Sequence, residues 1–216
     1  MIALVLLSLP LWGDDATAKW RRYFAPQRLD ALAERFGEAG RTRAQSLEAF
    51  LEAQLDEALT TEQKLERVND YFNGYDFIDD QTHWGQADYW ATPLEFVASG
   101  GGDCEDFTIA KYFALRVLGV PAAEMRLMYA KSVTLNQAHM VLIFLERPGA
   151  MPRVLDNLDG TIKLGSERPD LVPVYSFNGE GLWRARAFDS GVRLKSGESG
   201  VDLWQDLVSR MTIEAE

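Results

Sequence analysis

The chain has 216 residues, 47% of them hydrophobic, and a formal net charge of -11 from 33 acidic and 22 basic side chains. That length and apolar fraction suffice for a full core, and the acidity excludes a nucleic-acid surface, which needs clustered Lys and Arg to neutralise phosphates. One cysteine and two histidines exclude an internal disulfide and any multi-cysteine metal centre, and leave little from which to build a zinc site.

The opening "MIALVLLSLPLWGDDATA" carries an apolar run of signal-peptide length, too short to span a bilayer, and residues 1–13 read as a signal-peptide remnant. No later stretch is long and apolar enough to be transmembrane. Residues 14–216 read as one domain, with a helical part over 14–72, a core over 73–183 and a C-terminal extension over 184–216. In the helical part, breaks are expected at Gly37, Gly40 and Thr60. "SLEAFLEAQLDEAL" places Leu and Phe at helical spacing, and "TTEQKLERVNDYF" opens with a Thr60 to Gln63 capping box. These stripes are read as core.

"NGYDFIDDQTHWGQADYW", from Asn73 to Trp90, is irregular and aromatic, which suggests an ordered loop packed over something. Tyr89 and Trp90 are candidates to wall a cleft, and Trp90 to support an oxyanion or a nucleophile; packing is the plainer reading. "TPLEF" starts a short helix, with Thr92 as N-cap, Pro93 at the first position and Glu95 completing the box.

"SGGGDCEDF" places the sole cysteine, Cys104, in the first turn of the next helix. That helix carries an apolar face of Phe107, Ala110, Phe113, Ala114, Val117 and Leu118 and ends at Gly119 and Pro121. Gly100, Gly101 and Gly102 let backbone approach a substrate closely. A helix N-terminus favours a thiolate. Asp103, Glu105 and Asp106 oppose one. A carboxylate about 6 Å away costs roughly 2–3 kcal/mol at an effective dielectric near 20, against about 0.3–1 kcal/mol from the dipole.

"MRLMYA", "HMVLIFLE", "RVLDN" and "LVPVYSF" read as strands, and "VDLWQDLVSRM" as an amphipathic surface helix. Helices followed by an antiparallel sheet give an α+β fold. His139 begins an apolar strand, where an ionisable group needs a partner or a task. A hairpin closing at Leu145 and Ala150 around "ERPG" sets His139 opposite Asp156. Cys104, His139 and Asp156 then form the triad of acyl transfer, with His83 as rival base.

"HWGQADYWATPLEF", "GGDCEDF", "AHMVL" and "VLDNLDG" together resemble the bacterial transglutaminase-like cysteine proteases, and within them the LapG-type periplasmic enzymes that release biofilm adhesins. The resemblance spans roughly Tyr71 to Trp183. It implies a papain-like or transglutaminase-like core with Cys104 as nucleophile, His139 as base and Asp156 as orienting residue. It also implies calcium held by Asp103 and Glu105, to which position adds Asp106. The implied substrate is the N-terminal region of a large adhesin, and the implied regulator is the periplasmic domain of an inner-membrane cyclic di-GMP receptor. A transglutaminase or other acyl transferase with the same triad, and a calcium-stabilised binding module with an inert thiol, are the alternatives.

Overall fold

The computed structural model describes residues 20–185, 187–188, 191–196 and 201–215. The expected signal segment lies outside the described residues. No described helix is long and apolar enough to cross a membrane.

Helix α1 (Pro26–Leu55) is broken at Gly37, whose φ of 72° is left-handed. Gly40, expected as a second break, stays helical and is buried. A Cβ there would overlap Phe36 and press on the Ala98 carbonyl, so this glycine serves close packing. Helix α2 (Thr61–Phe72) opens with both bonds of the Thr60–Gln63 capping box. The aromatic segment that follows is ordered. Its strand β1 (Asp76–Phe77) pairs in parallel with β2 (Gly101–Gly102), and its one-turn helix α3 (Asp80–His83) is N-capped by Asp79.

Helix α4 (Pro93–Ser99) has the Thr92–Glu95 capping box and ends on Gly100 at φ 101°. Arg43 of α1 donates to the carbonyls of Val97 and Ala98, which supplies acceptors at the end of α4 with donors. The chain then passes through β2 into α5 (Cys104–Val117).

Among the described residues, seven strands form an antiparallel sheet: β3 (Met125–Ser132), β4 (Gln137–Phe144), β5 (Arg153–Leu155), β6 (Lys163–Leu164), β7 (Leu171–Asn178), β8 (Gly181–Arg184) and β9 (Val192–Ser196), in the order β6-β5-β4-β3-β7-β8-β9. In β4, Met140, Leu142 and Phe144 join the main core with α5, while Val141 and Ile143, with Leu145 just past the strand, join a second cluster with Met128, Val154 and Phe188. Burial on both faces is why "MVLIF" reads as a continuous apolar run.

Helix α5 is not one-sided. Ile109, Tyr112 and Leu115 are as buried as the face containing Phe107 and Phe113, because helices cover its outer side. Among the covering elements is α6 (Asp202–Ala215), expected on the surface. Its Trp204, Leu207 and Met211 are buried, and Trp204 meets Tyr112 edge-on at 5.8 Å.

A lysine lies within this core. Lys111, on α5, is 1% exposed and donates to Asn73 Oδ1 at 2.7 Å. Burial pulls its ammonium down from 10.5 to about 7, against the pull of Asp156 and Asp70. Between those values the unfolded chain binds a proton that the folded chain does not. The cost of burying the charge is therefore full below about pH 7 and fades as the pH rises toward 10.5. We expect urea melts to show Lys111→Met gaining on the parent most at pH 6, with the gap narrowing by a few kcal/mol toward pH 10. A gap independent of pH would exclude a buried ammonium at this position.

Candidate functional site

Asp103 is the N-cap of α5, its carboxylate accepting from the Glu105 N–H at 3.3 Å, and Asp106 closes the capping box on the Asp103 N–H at 3.4 Å. Asp106 is fully buried and accepts a second backbone bond from Ala91 at 2.7 Å. The three glycines before this turn, read in the sequence as letting backbone approach a substrate, admit the protein's own atoms. Gly100 takes the left-handed conformation, a Cβ on Gly101 would overlap the Asp76 carbonyl, and a Cβ on Gly102 would overlap the Asp106 carboxylate.

Cys104 Sγ donates to Glu105 Oε2 at 2.7 Å and faces the backbone N–H of Met140. Burial, then the charges of Glu105 and Asp103, push its thiol well above the ordinary range, against the Met140 N–H, which acts the other way. The expected conflict between acid and thiolate is thus present in the fold. Tyr129, stacked on Tyr175 at 4.9 Å, donates to the other oxygen of Glu105 at 3.1 Å.

Asp80 joins the acids from α3, a position that the sequence reading passed over. Its Oδ2 accepts from the Tyr89 N–H at 2.5 Å, while its buried Oδ1 has no hydrogen-bond partner. Asp80, Asp103 and Asp106 each bring an oxygen within 4.8 Å of the others. Burial and the charges of neighbouring carboxylates, Glu105 among them, raise all three carboxyls. Hard oxygens, a shared surplus of negative charge and one orphaned buried acceptor suit a divalent cation of the calcium kind.

His139 and Asp156 meet as expected, 2.7 Å apart through Nε2 and Oδ1, with each residue at most 2% exposed. The register that was to bring them together is different. Leu142 pairs with Leu155 and Phe144 with Arg153, so His139 lies two positions from the residue opposite Asp156. The Leu145 N–H pairs with Glu124, and the turn runs from Arg147 to Ala150 over Gly149 at φ 79°. That turn displaces the hairpin centre toward the C-terminus. A shift of two keeps both side chains on one face, whereas a shift of one would have separated them.

Asp156 is held from further directions that sequence reasoning missed. Arg168 reaches Oδ2 at 2.6 Å, the Leu158 N–H reaches Oδ1 at 3.0 Å, and Asn73 donates to the Asp156 carbonyl at 2.9 Å. Burial alone would raise the carboxyl; the His139 bond and charge, the Leu158 N–H and Arg168 reverse this and hold it at about 2. Trp90 is 1% exposed and stacked on Phe177, which is the packing reading. Nearby, burial and the charge of Glu105 push the Asp88 carboxyl up. His83, the rival base, packs edge-on against Trp84 at 4.4 Å.

The sequence model of a family described as bacterial transglutaminase-like cysteine proteinase matches residues 41–171. The chain belongs to that family. This proteinase also resembles solved structures of Legionella pneumophila LapG. The EGTA-treated form is 40% identical, with 86% of this chain and 96% of the other aligned at a TM-score of 0.73. The calcium-bound form is 41% identical, with 86% and 98% aligned at a TM-score of 0.70. No curated protein matches the sequence. The proteinase is a cysteine protease with an α+β papain-like core, and its one cysteine lies inside the matched span.

The fit of Gly102 against Asp106 can be tested. Gly102→Ala displaces a buried carboxylate that accepts two backbone bonds, and we expect a loss of about 1–3 kcal/mol in a urea melt. Parental stability would show that Asp106 has room to move.

Proposed function

We propose that this cysteine protease is a calcium-dependent periplasmic endopeptidase in which Cys104 is the nucleophile, His139 the base and Asp156 the orienting residue. The observation that carries the reading is the buried His139–Asp156 pair, with the sole thiol, Cys104, facing the backbone N–H of Met140, the residue after His139. His139 Nε2 is taken by Asp156, so Nδ1 is the atom available for the thiol proton. Proton transfer gives thiolate and imidazolium, and the sulfur attacks the scissile carbonyl. The Cys104 N–H, in the first turn of α5, is the oxyanion donor. His139 then gives its proton to the leaving amine, and water releases the acyl group.

Asp103 and Glu105 would hold the calcium, with Asp80 and Asp106 completing the set. When bound, calcium supplies the positive charge that offsets the carboxylates around the thiol. The calcium-bound and EGTA-treated forms of the Legionella LapG relative support this reading. By the family resemblance of the motifs, the substrate is the N-terminal region of a large surface adhesin, and an inner-membrane cyclic di-GMP receptor restrains the protease through its periplasmic domain.

We expect the parent to cut an adhesin N-terminal fragment, to lose activity in excess chelator and to regain it with added Ca²⁺, while Cys104→Ala is inactive throughout. Mass spectrometry of the products reads the outcome. Isopeptide-linked products would move the assignment to an acyl transferase, and full activity in chelator would remove calcium from it.

Asp80 is tested without turnover. Asp80→Asn keeps an acceptor for the Tyr89 N–H but deletes one buried charge. We expect its melting temperature in chelator to rise by a few degrees, and its increase on adding Ca²⁺ to shrink. An unchanged response to Ca²⁺ would take Asp80 out of the ligand set.

A further inference from the structure

The His139–Asp156 pair continues into two more residues. Asp156 presents one oxygen to His139 and the Leu158 N–H and the other to Arg168 Nη2 at 2.6 Å. Arg168 is 3% exposed and is itself gripped by Asp170, through Nη2 at 2.7 Å and Nε at 3.0 Å. The Asp170 carbonyl accepts from the Val133 N–H at 2.7 Å, so the clamp is tied to the hairpin that follows β3.

A carboxylate held on one oxygen can turn about its last torsion. One held on both oxygens by donors from different segments has a fixed plane, and so does the imidazole bonded to it. The charges agree with the geometry. Asp156, Arg168 and Asp170 together carry one net negative charge, which the imidazolium formed when His139 takes a proton neutralises. Lys111, the other cation near Asp156, bonds Asn73 and not the carboxylate.

We propose that Arg168, locked by Asp170, is a positioning residue of the protease that fixes the plane of Asp156 and thereby aims His139 at Cys104. The inference rests on the triad reading above. It assigns Arg168 no contact with substrate, so its loss acts on turnover and not on binding.

The test uses the full chain with ¹⁵N-labelled histidine, because its two histidines give two separable ring signals, with His83→Gln assigning them. We expect Arg168→Met to lower kcat about 10- to 100-fold with KM within about twofold. The His139 ring resonances should move while those of His83 stay, and Arg168→Lys should recover part of kcat. Parental kcat in Arg168→Met, or lost kcat with an unmoved His139 signal, would overturn the inference. If Arg168→Met does not fold, Asp170→Asn, at a partly exposed position, carries the test with a smaller loss and the same moved signal; parental values for both would overturn it. Failure of the protease reading shows separately, as a parent no more active than Cys104→Ala, and leaves the histidine signals free to report on Arg168.

Discussion

Everything at this site is arranged around the N-terminus of one buried helix, where a thiol and several carboxylates share a single positive end. The helix offers about 0.3–1 kcal/mol to an anion, and a nearby carboxylate costs a thiolate more than that. Asp103 and Asp106 cannot simply be removed, because they cap the helix that carries Cys104 and anchor Ala91 to it. The same carboxylates that build the turn therefore disfavour the thiolate. A cation gathered by their free lone pairs would reconcile the two roles, since capping uses only part of their acceptor capacity.

The scaffold transmits order to that turn from a distance. Helix α1 lies against α4 at Gly40 and bonds its last carbonyls through Arg43, so α4 ends at a defined place and Gly100 turns the chain toward Cys104. Glu95 is a second tie: Arg35, Tyr89 and Arg210 all bond it, joining α1, the aromatic segment and α6 around α4. Through Tyr89 the tie reaches Asp80, and so the acidic cluster is positioned by residues far from it in the chain.

Asp156 is held by two networks of different character. On one side Asn73 links its carbonyl to the buried ammonium of Lys111; on the other Arg168 and Asp170 enclose its carboxylate. Buried charges of this kind are costly to leave unpaired and add little net stability when paired. Their use here is geometric: each fixes the loop after β5 to a rigid element, which a short strand of three residues could not do alone.

What the sequence by itself determined is what local chemistry governs. Both Thr capping boxes, the helix start at Cys104, strands β3, β4, β5 and β7 and the α+β class follow from side-chain bonds within four residues and from apolar periodicity, whereas β1, β2, β6, β8 and β9 were not legible. The pairing of His139 with Asp156 was also legible, although by a register two residues away from the real one, because the side-chain period of a strand forgives an even error. Only the tertiary structure decided the rest. It buried α5 on every side, drew α6 into the core, and gave the three glycines their separate reasons. It also recruited Asp80, Asn73 and Arg168, whose partners lie 83 residues away for Asn73 and 12 for Arg168. No local pattern encodes such contacts, since they arise where chain segments are brought together by packing, and it is packing that turns a row of ionisable residues into a site.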